Sequence, residues 1–307
     1  NILYLWWVLI VATITVYTAT YNRAHLLPQV YESLCRQTNK DFEWLIIDDG
    51  STDSTRDLVQ SWIDQGVVQI QYHYKENGGV HTARDLAYET CNTELIVSCD
   101  SDDYLLDDAV EQILFFWAQH GNDRYAGIFL PYVDTEGHRV SGKFPQGITE
   151  ATYQEFSYKH KVFGDKQTVL RTSVIAEVPP SPVFPGETLV PETYKWNQLP
   201  TDMPFLVLDR PICVIEYQGD GYTQNVQQGR AKNPNGFRAM YWSMMTHSQY
   251  FRPRVKGTIG YIAFSLIVKD RSFMKEAANP FLLVLFFVPG VVLYWRRMLQ
   301  FRRLKRQ

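Results

Sequence analysis

Short apolar segments rich in β-branched residues recur through the first third of the chain. Each gives way to polar residues and then to a stretch with helical spacing. Residues 13–18, 44–47, 67–74 and 94–98 read as strands, and 26–35, 54–65, 81–91 and 107–118 as helices. This alternation admits few architectures. Strand–helix repeats of this length build a doubly wound α/β sheet, in which ligands bind at the carboxyl ends of the strands. The polar clusters fall at those ends: Thr20-Tyr21-Asn22-Arg23, Asp48-Asp49 and Asp100-Ser101-Asp102-Asp103.

Past Tyr125 the pattern loosens. Residues 126–133 and 168–171 read as strands, and 205–208 with 212–217 as a strand pair. Residues 179–191 hold five prolines and make a long loop before a short helix at 191–199. Helices are expected at 237–250 and 258–269. The 307 residues are 45% hydrophobic and 21% charged, which supports a substantial core and excludes a disordered chain. A net charge of −3 lacks the basic excess of a phosphate-binding footprint, so nucleic acid is not the expected partner. Cys35, Cys91, Cys99 and Cys213 have no zinc spacing and read as reduced thiols of a cytosolic protein.

Both ends are apolar. Residues 1–12 form an uncharged extension too short to span a bilayer, and no basic segment precedes it, so no signal peptide is expected. Residues 281–295 are also uncharged. Arg296, Arg297, Arg302, Arg303, Lys305 and Arg306 follow, with no acid among them. An aromatic edge before a basic tail suits the cytoplasmic leaflet of an anionic membrane, so this is read as a membrane-associating tail, peripheral or C-terminally anchored. The alternative is a core helix with a solvated basic end.

Three carboxylates lie within the four residues 100–103, directly after an apolar strand. They repel one another unless a divalent cation neutralises them, and carboxylate oxygens suit Mg²⁺ or Mn²⁺ with substrate phosphates. Asp107 reads as the cap of the following helix. Asp48-Asp49 could accept hydrogen bonds from a nucleoside, and Ser51 or Asp53 could cap the next helix. Gly78-Gly79 could let the backbone approach a diphosphate. His73 and Trp196 read as structural residues. No Gly-x-Gly-x-x-Gly follows a strand, which disfavours a dinucleotide oxidoreductase.

In combination, VYTATYNR (16–23), WLIIDDGSTDST (44–55), ENGGVHTARDLAYET (76–90) and ELIVSCDSDDYLLDDAVEQI (94–113) resemble glycosyltransferase family 2. Within it, the chain is similar to enzymes of bacterial cell-surface polysaccharide synthesis, which have counterparts of residues 164–166, 185–197 and 214–223. The resemblance implies a GT-A-type doubly wound mixed sheet with flanking helices. It divides the chain into the extension 1–12, a catalytic domain 13–225, a helical region 226–278 and the tail 279–307.

The resemblance also implies roles. Thr18, Thr20, Tyr21 and Arg23 line the nucleotide site, Asp48 or Asp49 holds uracil or another base, and Arg84 faces the sugar diphosphate. Asp100, Ser101 and Asp102 contact the donor, with Asp100 and Asp102 as an Asp-x-Asp motif holding nucleotide and Mn²⁺ or Mg²⁺. Glu192 and Asp102 carry catalysis. The family has Glu-Asp where this chain has Glu192-Thr193, so Glu192 is the expected base with Glu187 in reserve. The implied reaction is inverting, metal-dependent transfer from a nucleotide-sugar, such as a UDP-sugar, to a glycan or lipid-linked acceptor. Two alternatives are a sugar-nucleotide nucleotidyltransferase and a non-catalytic scaffold of an assembly complex. The first needs a Gly-rich loop with Arg and Lys, which residues 19–25 lack.

Overall fold

The computed structural model describes residues 12–162, 164–216, 225–275 and 279–304. The apolar extension lies outside these residues except for Ala12, as do Lys305 and Arg306. Strand β1 (Ile14–Thr20) lies between β2 (Phe42–Asp48) and β4 (Leu95–Ser98), parallel to both, with β3 (Ile70–Tyr74) parallel to β2 at the edge. β2 is buried at every position because helices cover both faces of the sheet. The period-2 alternation of strand side chains sorts the residues. Val16, Trp44, Ile46 and Val97 meet α1 (Leu27–Cys35) and α4 (Ala109–His120), through Val30, Leu34, Val110 and Ile113. Tyr17, Leu45, Ile47 and Ile96 meet Ala83 and Ala87 of α3 (Val80–Thr90) on the other face. Helix α2 (Thr55–Gln65) contributes Val59 and Trp62, and Trp62 stacks on Tyr31 with centroids 4.4 Å apart.

The second half makes the sheet mixed. Its further strands are β5 (Tyr104–Leu105), β6 (Gly127–Val133), β7 (Glu150–Ala151), β8 (Lys166–Arg171), β9 (Phe205–Val207) and β10 (Cys213–Val214). β8 runs antiparallel to both β4 and β6. The order is β3-β2-β1-β4-β8-β6-β10-β5, with β9 beside β6 and β7 beside β9. The short helices α5 (Thr172–Ile175) and α6 (Thr193–Trp196) flank the proline-rich loop.

Two sequence expectations are corrected. The segments 205–208 and 212–217 do not pair with each other: β9 and β10 each lie parallel to β6. Strands of two or three residues carry too little alternation to reveal their partner. At the start of α4 the capping position belongs to Asp108, whose side chain makes no capping bond. Asp107 instead accepts a hydrogen bond from Arg36 Nε at 2.9 Å.

Helices α7 (Val226–Lys232), α8 (Pro234–His247), α9 (Phe251–Ile267), α10 (Pro280–Leu285) and α11 (Phe287–Leu304) form a third cluster around Phe237, Tyr241, Tyr261, Phe264 and Leu283. Val190 and Tyr194 pack into it. The segment that carries Glu192 is therefore fixed between the sheet and the helical assembly. Among the described residues no helix is long and apolar enough to cross a membrane.

Candidate active site

The carboxyl ends of β1, β2 and β4 open into one cleft of about 1360 Å³, whose other walls include Tyr153, residues 164–170 and 188–196, and helices α7 to α9. Past β1, Asn22 adopts a left-handed φ of 53°, which asparagine tolerates better than most residues. There its N–H donates to Ser51 Oγ (2.9 Å), and its Oδ1 accepts from the Thr52 N–H (2.7 Å), tying the β1 and β2 loops together. Thr20, Tyr21 and Arg23 line the cleft. Thr20 Oγ1 is buried without a hydrogen-bond partner among the described residues. Thr18 is not among the lining residues: its hydroxyl donates to the Cys99 carbonyl (2.7 Å) and accepts from Trp44 Nε1 (2.9 Å).

The acidic pair after β2 divides. Asp48 stays below the cleft, accepting from the Ser51 N–H (2.8 Å) and the Tyr72 hydroxyl (2.5 Å). Asp49 lines the cleft. Its carboxylate accepts from Lys75 Nζ, from the Gly78 N–H (3.0 Å) and from the Gly79 N–H (2.7 Å). The glycine amides expected to meet a diphosphate are thus directed at Asp49. Gly79 is required for another reason. Its φ is +92°, and a Cβ there would lie 1.9 Å from the Thr188 carbonyl oxygen. The loop leading to Glu192 therefore rests directly on the start of α3.

Asp100 and Asp102 face the cleft after β4. Arg23 Nη1 lies 3.0 Å from Asp102 Oδ2 and donates to Ser101 Oγ at 3.1 Å. Gln29 Nε2 donates to the Asp102 carbonyl at 2.7 Å and fixes the turn. Asp100 is accessible to solvent yet deep in the concavity. Loss of bulk water around it, then the charges of Glu192 and Asp102, push its carboxyl up to about 6. Asp103 is buried beside it and accepts the Glu216 N–H at 3.1 Å. Burial, then the Asp100 charge, pushes the Asp103 carboxyl up to about 8.

Glu192 and Arg84 are far apart in sequence but form an ion pair across the cleft. Trp196 Nε1 also donates to Glu192 Oε2 at 3.2 Å, and Trp196 stacks on Tyr153 at 5.9 Å. Burial works against the Arg84 charge. Glu192 and the phenolic oxygens of Tyr17 and Tyr88 outweigh it, so the guanidinium stays protonated. A second ion pair, Lys195 to Asp85 at 2.8 Å, locks the same loop to α3. Asp85 also accepts the Ser181 N–H at 2.6 Å. Glu187 is engaged elsewhere: its carboxylate accepts the Asn235 (2.9 Å) and Gly236 (2.8 Å) N–H groups at the start of α8. Anions are favoured at a helix N-terminus.

Among the described residues no three His, Cys, Asp or Glu side chains are grouped to enclose a metal. Mg²⁺ and Mn²⁺ do not need such a cage, since one or two carboxylates suffice when substrate phosphates and water complete the shell. Asp100 and Asp102 are two crowded carboxylates open to the cleft, and such a donor set fits a divalent cation shared with a phosphate ligand.

Several lining residues are given no site role by the sequence, although 164–166 stands out as a segment with family counterparts. Asp165 and Lys166 line the cleft within reach of the Glu192 charge, and burial raises the Asp165 carboxyl and lowers the Lys166 ammonium. Arg230, Lys232 and Lys256 give the helical wall a positive character. These residues reach the cleft only through tertiary packing.

The family model described as Glycosyl transferase family 2 matches residues 15–178. The chain is 32% identical over 105 residues to the putative teichuronic acid biosynthesis glycosyltransferase TuaG of Bacillus subtilis (strain 168), covering 34% of this chain and 41% of that one. In structure it is similar to S. aureus TarS 1-349 in complex with UDP-GlcNAc. That match has a TM-score of 0.56 and 17% identity, and covers 86% of this chain and 76% of that one. It is also similar to the mannosyltransferase PcManGT from Pyrobaculum calidifontis in complex with GDP-Man and Mn²⁺, with a TM-score of 0.53 and 13% identity, over 94% and 84% of the two chains. The chain spans no more than half the length of the curated relatives it matches, from 11% to 50%.

Proposed function

Since the chain belongs to glycosyl transferase family 2, we propose that it moves a sugar, with inversion, from a UDP-sugar to a glycan or lipid-linked acceptor in surface polysaccharide synthesis. The observation that carries this reading is the cleft itself. It gathers Asp100, Asp102, Arg23, Arg84 and Glu192 at the carboxyl ends of parallel strands. The UDP-GlcNAc complex of TarS supports the choice of donor.

Each group has a task in such a transfer. Tyr21, Thr20 and Asp49 stand where the nucleoside would enter, and Arg23 holds Asp102 in orientation. Asp100 and Asp102 would hold Mn²⁺ or Mg²⁺, which supplies positive charge to the departing diphosphate. Arg84 adds a fixed positive charge on the same side. The Glu192 carboxylate takes the acceptor hydroxyl's proton as that oxygen attacks the anomeric carbon. With Glu187 engaged at α8, Glu192 is the carboxylate of this loop that faces the cleft. We take the reaction to run in the cytoplasm, at the inner face of the plasma membrane.

Release of nucleoside diphosphate from a panel of sugar nucleotides, with Mn²⁺ and with chelator, tests this. The expected result is release from a UDP-sugar that stops in chelator and returns with Mn²⁺ or Mg²⁺. Release of pyrophosphate from a sugar phosphate and UTP would instead identify a nucleotidyltransferase. Inertness toward every donor would identify a scaffold.

A further inference from the structure

The outward side of α10 and α11 is apolar where a solvated helix would be polar. In α11, Val288, Val292, Trp295 and Leu299 are 70%, 62%, 56% and 57% exposed. Their spacing of four, three and four residues puts them on one stripe. At 1.5 Å per residue the stripe runs for about 16 Å. Phe281, Val284 and Leu285 of α10 extend the exposed apolar surface.

The opposite side of the same helices is firmly packed. Leu282, Leu283 and Phe301 are buried. Gly290 lies so close to α9 that a Cβ would meet Ile262 at 2.5 Å. Arg297 Nη1 donates to Gln227 of α7 at 3.0 Å. The helix is therefore held with its apolar stripe outward, and it cannot bury that stripe by rolling over.

Charge identifies the occupant. Arg296, Arg302 and Arg303 are exposed beside the stripe. From Asn279 to Gln307 the chain holds no aspartate or glutamate. A second copy on this face would bring like charges together with no acid of the tail to pair them. An anionic bilayer offers hydrocarbon to the stripe and phosphate to the arginines. We propose that α10 and α11 form an interfacial docking face that lies in the plane of an anionic phospholipid bilayer, apolar stripe down, without crossing it. Docking is independent of the chemistry in the cleft, so failure of either leaves the other standing.

The test is co-sedimentation of the full chain with vesicles of phosphatidylglycerol and phosphatidylcholine, and with phosphatidylcholine alone, in low and high salt. Binding is expected to the mixed vesicles, with a part that survives high salt. A variant carrying Val288→Ser, Val292→Ser and Trp295→Ser should lose about 100-fold in partitioning at either salt, from the lost apolar burial. A variant with Arg302→Gln and Arg303→Gln should lose about 30-fold at low salt, at about fivefold per charge, and little at high salt. All these side chains point outward, so nucleoside diphosphate release and circular dichroism should match the parent chain. Wild-type protein that stays in the supernatant under every condition overturns the proposal. So does a lipid-free dimer that the triple serine variant dissociates, because the face would then be a self-interface.

Discussion

Glu192→Gln separates the chemistry of the cleft from its architecture. Glutamine keeps the volume and can still accept the Trp196 Nε1 hydrogen bond seen at 3.2 Å, but it cannot take a proton. Loss of a general base costs about 10²- to 10⁴-fold in turnover, or about 3 to 5 kcal/mol in barrier. The structural cost is much smaller. The Glu192 side chain is 50% exposed, so solvent screens its pair with Arg84, and the pair contributes at most about 1 kcal/mol to folding. Donor affinity should hold or improve, since Arg84 is released and Asp100 loses a repelling neighbour. Steady-state kcat and KM for donor and acceptor, with a urea midpoint on the same samples, measure all three quantities. A fall in kcat with donor KM and midpoint unchanged is the expected result. Near-normal kcat, or a rise in donor KM with kcat intact, would refute the assignment of Glu192 as base.

Two further substitutions test the frame around the cleft. Gly79→Ala should lower stability by about 3 kcal/mol or more, because a left-handed backbone costs about 1 to 3 kcal/mol and the new methyl must displace the Thr188 carbonyl; a urea midpoint near that of the wild type would show that the loop yields freely. Burial holds the His81 imidazole below its ordinary value, with the Asp85 charge opposing. A depressed histidine adds stability above its unfolded pKa of about 6.5, and that stability is lost as pH falls from there toward the folded value. Urea midpoints between about pH 7 and pH 5 should therefore fall less steeply in His81→Gln than in the wild type; equal slopes would place the acid sensitivity elsewhere.

The parallel half of the sheet was legible because its strands are long enough to show their pattern. β1, β2 and β4 follow the apolar runs, and their polar ends converge as the α/β arrangement requires. The acidic run at 100–103 was legible as a group. How its members differ was not: all three border the cleft, but Asp103 is buried against the Glu216 N–H, Asp102 pairs with Arg23, and Asp100 is exposed. The same limit applies to Asp48 and Asp49, adjacent in sequence but with separate hydrogen-bond partners. The pairing of β9 and β10 with β6, the Arg84–Glu192 pair and the capping of α8 by Glu187 all join residues distant in sequence. Such contacts are set by tertiary packing, and a local pattern carries no trace of them. The tail shows the opposite case. Its apolar content and basic end were visible in sequence, but which side chains face outward depends on how α11 seats against α9.

Nucleotide-sugar binding through Asp100 and Asp102 is the claim on which the functional account rests, and isothermal titration with a UDP-sugar in the presence of Mn²⁺ tests it without any need for the acceptor. The account predicts saturable binding that chelator abolishes, that Asp102→Asn weakens by at least about tenfold (about 1.4 kcal/mol), and that Glu192→Gln leaves nearly intact. Binding to Asp102→Asn as tight as to the wild type, or binding indifferent to chelator, would contradict it.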